Sequence, residues 1–249
     1  MYLQKEHWED LTTLILVAGH AVYVADNFDD PSSDDNWFLQ SFQKGEPPFY
    51  IEHIMYGVDR AASEPRSLLV FSGGQTRLEA GPRSEAQSYW MLADHFSWWH
   101  RPSVRLRATT EEFARDSFEN LLFGICRFKE CTGHYPDCLE VVSWTFKYLR
   151  FQLHREAMKW PELPERYKFH GVNNPVDLAG AQKGEAKAVA AFKEDPFGTE
   201  AELASKRAER NPFNRQNPYS AGCKELESLL NHKTPNGKEY KGKLPWRSI

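Results

Sequence analysis

Apolar residues gather in short unbroken runs along this chain, and each run is followed by a polar, turn-rich stretch. Leu14-Ile15-Leu16-Val17 and Leu68-Leu69-Val70-Phe71 are the clearest. Runs without polar alternation suit strands covered on both faces, as in a parallel sheet. The pattern predicts strands from Thr13 to Val17, Ser67 to Phe71, Val104 to Arg107, Cys138 to Ser143 and Tyr167 to Gly171. Between them the spacing turns helical. Ala114, Phe118, Leu121, Leu122 and Ile125 repeat on one helix face, which Thr132-Gly133 closes. Ser84 with Gln87, and Thr109 with Glu112, read as capping boxes that open helices. Strands separated by helices in this order imply right-handed crossovers and a doubly wound, mostly parallel sheet of about five strands.

Two segments break the rhythm. Residues 26–36 form an acidic insertion that lacks the glycine and terminal glutamate of a calcium-binding EF-hand loop, so a solvated loop is expected. From Asn173 onward, helical stretches are expected at Ala179 to Phe192 and Thr199 to Arg210, the second opened by a Thr199 and Glu202 capping box. Prolines beside aromatics follow at Pro212-Phe213, Pro218-Tyr219 and Pro245-Trp246, where proline extends the chain and the ring supplies burial. The expected organisation is an α/β domain over residues 1–172 and an arm over 173–249 that packs on it.

Composition narrows the field. The 249 residues are 41% hydrophobic and 14% aromatic, enough to bury a sizeable core. The net charge of −4 gives no general reason to bind nucleic acid. The four cysteines lack CxxC spacing, which favours reduced, buried thiols over a structural zinc, and no metal is expected. Charge from Gln4 to Asp10 sits where the apolar region of a secretory signal would begin, and the apolar stretch from Leu11 to Ala25 is too short to span a membrane. A cytoplasmic protein with no membrane partner is expected.

Two glycine-bearing turns, Ala18-Gly19-His20 and Ser72-Gly73-Gly74, follow the first two strands, each expected to lead into a helix. A strand, a small-residue turn and a helix present backbone amides to an anionic or nucleotide-like ligand at the carboxyl edge of a sheet. Neither a phosphate loop of the GxxxxGK[ST] kind nor a nucleophile elbow around Ser143 is present. Ser84 reads as a cap, and Glu85 either complements the helix dipole or faces a ligand. The polar run Arg115 to Asn120 falls on the same predicted edge. Lys147, Arg150 and His154 share one helix face, two of them near the N-terminus, where the macrodipole disfavours cations. Either carboxylates from a neighbouring helix or an anionic ligand should offset them.

In order, Ala18-Gly19-His20, Ser72-Gly73-Gly74, Ser84-Glu85-Ala86, Ser117-Phe118-Glu119-Asn120 and Ser143-Trp144-Thr145-Phe146-Lys147-Tyr148-Leu149-Arg150 resemble the motifs of the YdcF/SanA/ElyC-like family, a domain of unknown function. The likeness covers roughly Leu11 to Gly171, and the insertion and arm are similar to its fungal and plant branch. Ser117 replaces the usual Thr, and Lys147 replaces a His of the bacterial pattern. The resemblance implies a Rossmann-like α/β/α fold with a polar cleft at the strand carboxyl ends. It also implies S-adenosylmethionine or nucleotide binding, or phosphate-ester chemistry.

The expected site is therefore lined by Gly19, His20, Ser72, Gly73, Gly74, Glu85, Ser117, Asn120, Ser143, Lys147 and Arg150. One reading is a hydrolase of a phosphate ester or anhydride. In it the Ser72-Gly73-Gly74 amides, Lys147 and Arg150 stabilise phosphoryl charge, and Glu85 or His20 acts as general base. A second is a protein that holds a nucleotide or S-adenosylmethionine without turnover. A third is an interaction scaffold with a vestigial pocket.

Overall fold

Four of the five expected strands form at the expected positions. In a computed structural model, which describes residues 8–247, β1 (Thr13–Ala18) leads into a two-residue pairing of β2 (Val22–Tyr23) with β3 (Trp37–Phe38). Helix α1 (Pro47–Ser63), β4 (Ser67–Ser72) and α2 (Glu85–His95) follow, then a short α3 (Pro102–Arg105), β5 (Ala108–Glu111), α4 (Ser117–Thr132), β6 (Cys138–Ser143), α5 (Tyr148–Ala157) and β7 (Tyr167–Gly171). The charged residues from Gln4 to His7 lie outside the described residues.

The expected strand at Val104 to Arg107 is a correction. Pro102, whose missing N–H suits the first helical turn, starts α3 there, and the strand follows at the β-branched pair Thr109-Thr110. Thr109 is consequently not a cap. Asp116 caps α4, its Oδ1 accepting from the Glu119 amide at 2.9 Å. The helix after Gly19 is also corrected. The chain first turns through the β2–β3 ribbon, with the acidic insertion between its strands, and α1 begins only at Pro47. The Ser84 and Gln87 capping box forms as expected, and Gly133, at φ 86°, closes α4.

The main sheet is all parallel in the order β5-β4-β1-β6-β7, a Rossmann-like doubly wound arrangement. Alternate residues of β1 face opposite layers. Ile15 and Val17 pack with Leu69, Phe71 and the buried sides of α1 and α2. Leu14 and Leu16 pack with Leu68, Val70, Leu139 and the buried sides of α4 and α5. The crossovers from β1 to β4 to β5 thus run on one face, and those from β5 to β6 to β7 on the other. The winding reverses between β1 and β6, where Val17 pairs in register with Val142. The crevice beyond the carboxyl ends of strands at such a reversal is where open α/β sheets hold ligands.

The C-terminal arm adds a cover outside α4 and α5. It comprises α6 (Leu178–Glu194), α7 (Ala201–Glu209), α8 (Tyr219–Gly222) and α9 (Glu227–Leu230). Phe197, Tyr219 and Trp246 bury their rings in the α4/α5 core cluster, whereas Phe213 is half-buried. The Trp246 indole donates to the Met158 carbonyl at 3.0 Å. The expected Thr199 cap is absent: Glu200 holds that position without a side-chain bond, and the Thr199 hydroxyl accepts from the Thr234 amide instead. No helix among the described residues is long and apolar enough to cross a membrane.

Candidate functional site

A cavity of about 460 Å³ opens at the β1/β6 reversal. Its floor comes from the strand ends through Gly19, His20 and Ser143, and one wall from Glu85 at the start of α2 and Ser117 and Asn120 at the start of α4. Lys147 and Arg150 enter from the start of α5. Eight of the eleven expected residues therefore meet at one cavity.

Ser72, Gly73 and Gly74 do not line it. The Gly73 amide donates to the Glu111 carbonyl at 3.0 Å and the Gly74 amide to the Ala114 carbonyl at 2.7 Å. The Gly19 amide likewise donates to the Ser72 carbonyl at 2.7 Å. The oxyanion cradle expected of the Ser72-Gly73-Gly74 turn is thus corrected, because its two glycine amides are already committed within the fold. The turn supports the site from below. The Ser72 hydroxyl lies 2.8 Å from Glu111 Oε2 and 2.9 Å from Asn120 Oδ1. Gly19 makes room for Glu85: a Cβ there would stand 2.7 Å from Glu85 Cβ and 2.9 Å from its Oε2.

Charge is concentrated and unevenly matched. Arg150 Nη2 pairs with Glu185 Oε2 at 2.9 Å, so a carboxylate from α6 of the arm meets this cation. Arg115 pairs with Glu119, and Asp116 with Arg207 of α7. Arg210 spends one guanidinium nitrogen on the Arg115 carbonyl. Lys147 Nζ lies 3.3 Å from His20 Nδ1, and among the described residues no carboxylate forms an ion pair with it or with Arg77. Burial and the neighbouring Arg150 charge pull Lys147 down to about 7. Burial lowers His20 as well, so its imidazole is neutral. Burial pushes Glu85 above the usual carboxylate range, against a 2.6 Å bond from the Thr76 hydroxyl and the pull of Arg210 and Arg77.

His154 is the one member of the expected cationic face that turns away. It is fully buried behind the cavity wall, with Nε2 2.8 Å from the Ser117 hydroxyl, and burial lowers it to about 3. Conversely, sequence reasoning missed the arm's share of the site. Glu185 of α6, with Lys206 and Arg210 at the end of α7, closes the cavity from above. Arg77 and the rim residue Phe42, which is 75% exposed, were missed too. Nothing local marks these positions: Glu185, Lys206 and Arg210 sit in polar stretches far along the chain from the strand ends they meet, and Phe42 and Arg77 sit in connecting segments whose paths the sequence leaves open.

Comparison with known proteins adds one relative. The uncharacterized protein YOR238W of Saccharomyces cerevisiae is 26% identical over 300 aligned positions, spanning 96% of this chain and 99% of the relative. The aligned region therefore takes in both the α/β body and the arm. No family profile and no solved structure matches the chain.

Proposed function

We propose that the cavity binds a phosphorylated small molecule and hydrolyses its phosphate ester or anhydride. The observation that carries this reading is the gathering of Lys147, Arg77 and Arg210 around one recess at the winding reversal, none of them neutralised by its own carboxylate. A half-buried lysine beside Arg150 is costly, and a phosphoryl group lowers that cost by adding negative charge to what Glu185, Glu46 and Glu85 supply from beyond ion-pair distance. The clamp is made of side-chain cations, since the glycine amides are committed elsewhere.

Glu85 is the carboxylate placed to act as general base. Its raised pKa brings it toward the range in which a carboxylate takes a proton from water efficiently. In that step water oxygen bonds to phosphorus, the bond to the leaving oxygen breaks with its electron pair on that oxygen, and Glu85 receives the water proton. The leaving oxyanion is held by the surrounding cations and is protonated from solvent, after which Glu85 returns its proton to water. His20 serves as a positioning group, because its neutral ring meets Lys147 through Nδ1.

A second reading, a nucleotide or S-adenosylmethionine held without turnover, draws on Phe42 and Phe146, two aromatic side chains on the cavity wall that offer faces to a base. Phosphate release from a panel of phosphate esters and anhydrides, measured for the full chain and for Lys147→Ala, tests the first reading. It expects release that the variant loses. Tight binding of a nucleotide or S-adenosylmethionine with no release from any phosphorylated compound favours the second.

A further inference from the structure

We propose that the ligand is a phosphorylated polyol, with its phosphate beside Lys147 and neighbouring hydroxyls held by Ser143, Arg150 and Glu185. The proposal rests on the phosphate reading above and deepens it. The Arg150–Glu185 pair joins Nη2 to Oε2 and leaves Arg150 Nε and Glu185 Oε1 buried without a protein partner. The Ser143 hydroxyl, fully buried at the end of β6, has none either. All three residues line the cavity.

Buried polar atoms in folded proteins are nearly always bonded, so a spare donor, a spare acceptor and a spare hydroxyl around one cavity call for a matching ligand or for water. A phosphate alone does not match. It accepts from Arg150 Nε, but even with its one P–OH turned to Glu185 it sets its own negative charge against that carboxylate. An ammonium answers Glu185 but not Arg150. A hydroxyl donates and accepts from one atom, so two neighbouring hydroxyls answer all three groups. Space for the carbon frame is present as well. On α6 the cavity side of Glu185 is flanked by Ala181, Gly184 and Ala188, whose small side chains leave the recess open.

A free sugar phosphate and the ribose phosphate end of a nucleotide share this chemistry. Titration calorimetry of the full chain with inorganic phosphate, ribose 5-phosphate, 2-deoxyribose 5-phosphate and AMP separates them. Ribose 5-phosphate is expected to bind at least about tenfold more tightly than phosphate, and the 2-deoxy compound to lose much of that advantage, because a site built to bond a hydroxyl discriminates strongly against its absence. AMP binding as tightly as ribose 5-phosphate places the polyol in a nucleotide, and AMP binding far more weakly makes it a free sugar phosphate. Glu185→Gln should cut the ratio of ribose 5-phosphate to phosphate affinity about tenfold, and Ser143→Ala should lower the same ratio should the first variant fold poorly. Equal affinities for phosphate and ribose 5-phosphate overturn the polyol assignment alone. Failure of every compound, phosphate included, overturns the phosphate reading with it.

Discussion

Lys147 Nζ approaches His20 Nδ1 to 3.3 Å, a cation meeting a neutral imidazole where an ion pair would be expected. The two groups share one hydrogen bond, which the neutral imidazole accepts at Nδ1 while the ammonium carries its proton. Burial and Arg150 together bring Lys147 to about 7, so near neutral pH the site is short of part of its positive charge until an anion restores it. Phosphate binding at pH 8 should therefore draw a proton onto Lys147, and affinity should fall as pH rises above about 7. Calorimetry in two buffers of different ionisation heat checks this. Uptake is expected in the wild type and not in Lys147→Met.

The same lysine makes a stability prediction of defined sign. Its folded pKa of about 7 lies below its ordinary 10.5, so between those values the unfolded chain binds more protons and stability rises with pH. Below about 7 the penalty of the buried charge is present in full. Lys147→Met should accordingly stabilise the protein more at pH 6 than at pH 10, raising Tm at pH 6 by about 2–4 °C for each kcal/mol of penalty removed. Equal effects at both pH values would contradict the desolvation of a charged amine.

Gly19→Ala tests the seat of Glu85. The added methyl carbon would stand 2.9 Å from Glu85 Oε2 and 3.1 Å from the Ser72 carbonyl, so the carboxylate must move. Overpacking of this kind costs about 1–3 kcal/mol, and displacement of the base should lower turnover by roughly tenfold or more. Wild-type turnover in a folded Gly19→Ala protein would show that Glu85 is not the base.

Tyr219 anchors the arm to the sheet through a 3.0 Å hydrogen bond to Glu111 Oε1. Burial pushes Glu111 up to about 7, against four donors that favour its charged form: the Phe113 and Ala114 amides and the Ser72 and Tyr219 hydroxyls. A carboxyl raised in the folded state contributes stability that is complete below its unfolded value and lost as pH rises through about 7. Tyr219→Phe removes one donor to the charged form, so its cost should be about 1.5–3 kcal/mol at pH 8 and nearer 1 kcal/mol at pH 5.5. Denaturant unfolding at the two pH values reads the difference.

How much was legible in the sequence follows from range. Strands β1 and β4 were readable because unbroken apolar runs have few other uses in a chain of this kind, β6 and β7 because short β-branched or aromatic segments lie between turn signals, and the α2 capping box declares itself within four residues. Strand β5 was misplaced because it is an edge strand of mixed polarity, Ala-Thr-Thr-Glu, while the more apolar Val104-Arg105-Leu106 just before it belongs to a helical turn. Site residues on the strand ends were found because topology places strand ends together. Glu185, Lys206 and Arg210 were not, since they reach the cavity only by the fold-back of the arm, and a polar helix face carries no mark of what it will cover. The backbone donors of the Ser72-Gly73-Gly74 turn were misjudged because their use depends on the loop after β5, whose path the sequence leaves open.

In the proposed reaction a phosphoryl group is bound by cations and attacked by water activated at Glu85. Measuring affinity and turnover of Glu85→Gln side by side, on whichever phosphorylated compound the wild type hydrolyses, tests it most directly. The variant keeps the shape and removes the base, so affinity should stay within about threefold while turnover falls by about 10²-fold or more, the size of a general-base contribution. Full turnover in Glu85→Gln with affinity intact would contradict the account.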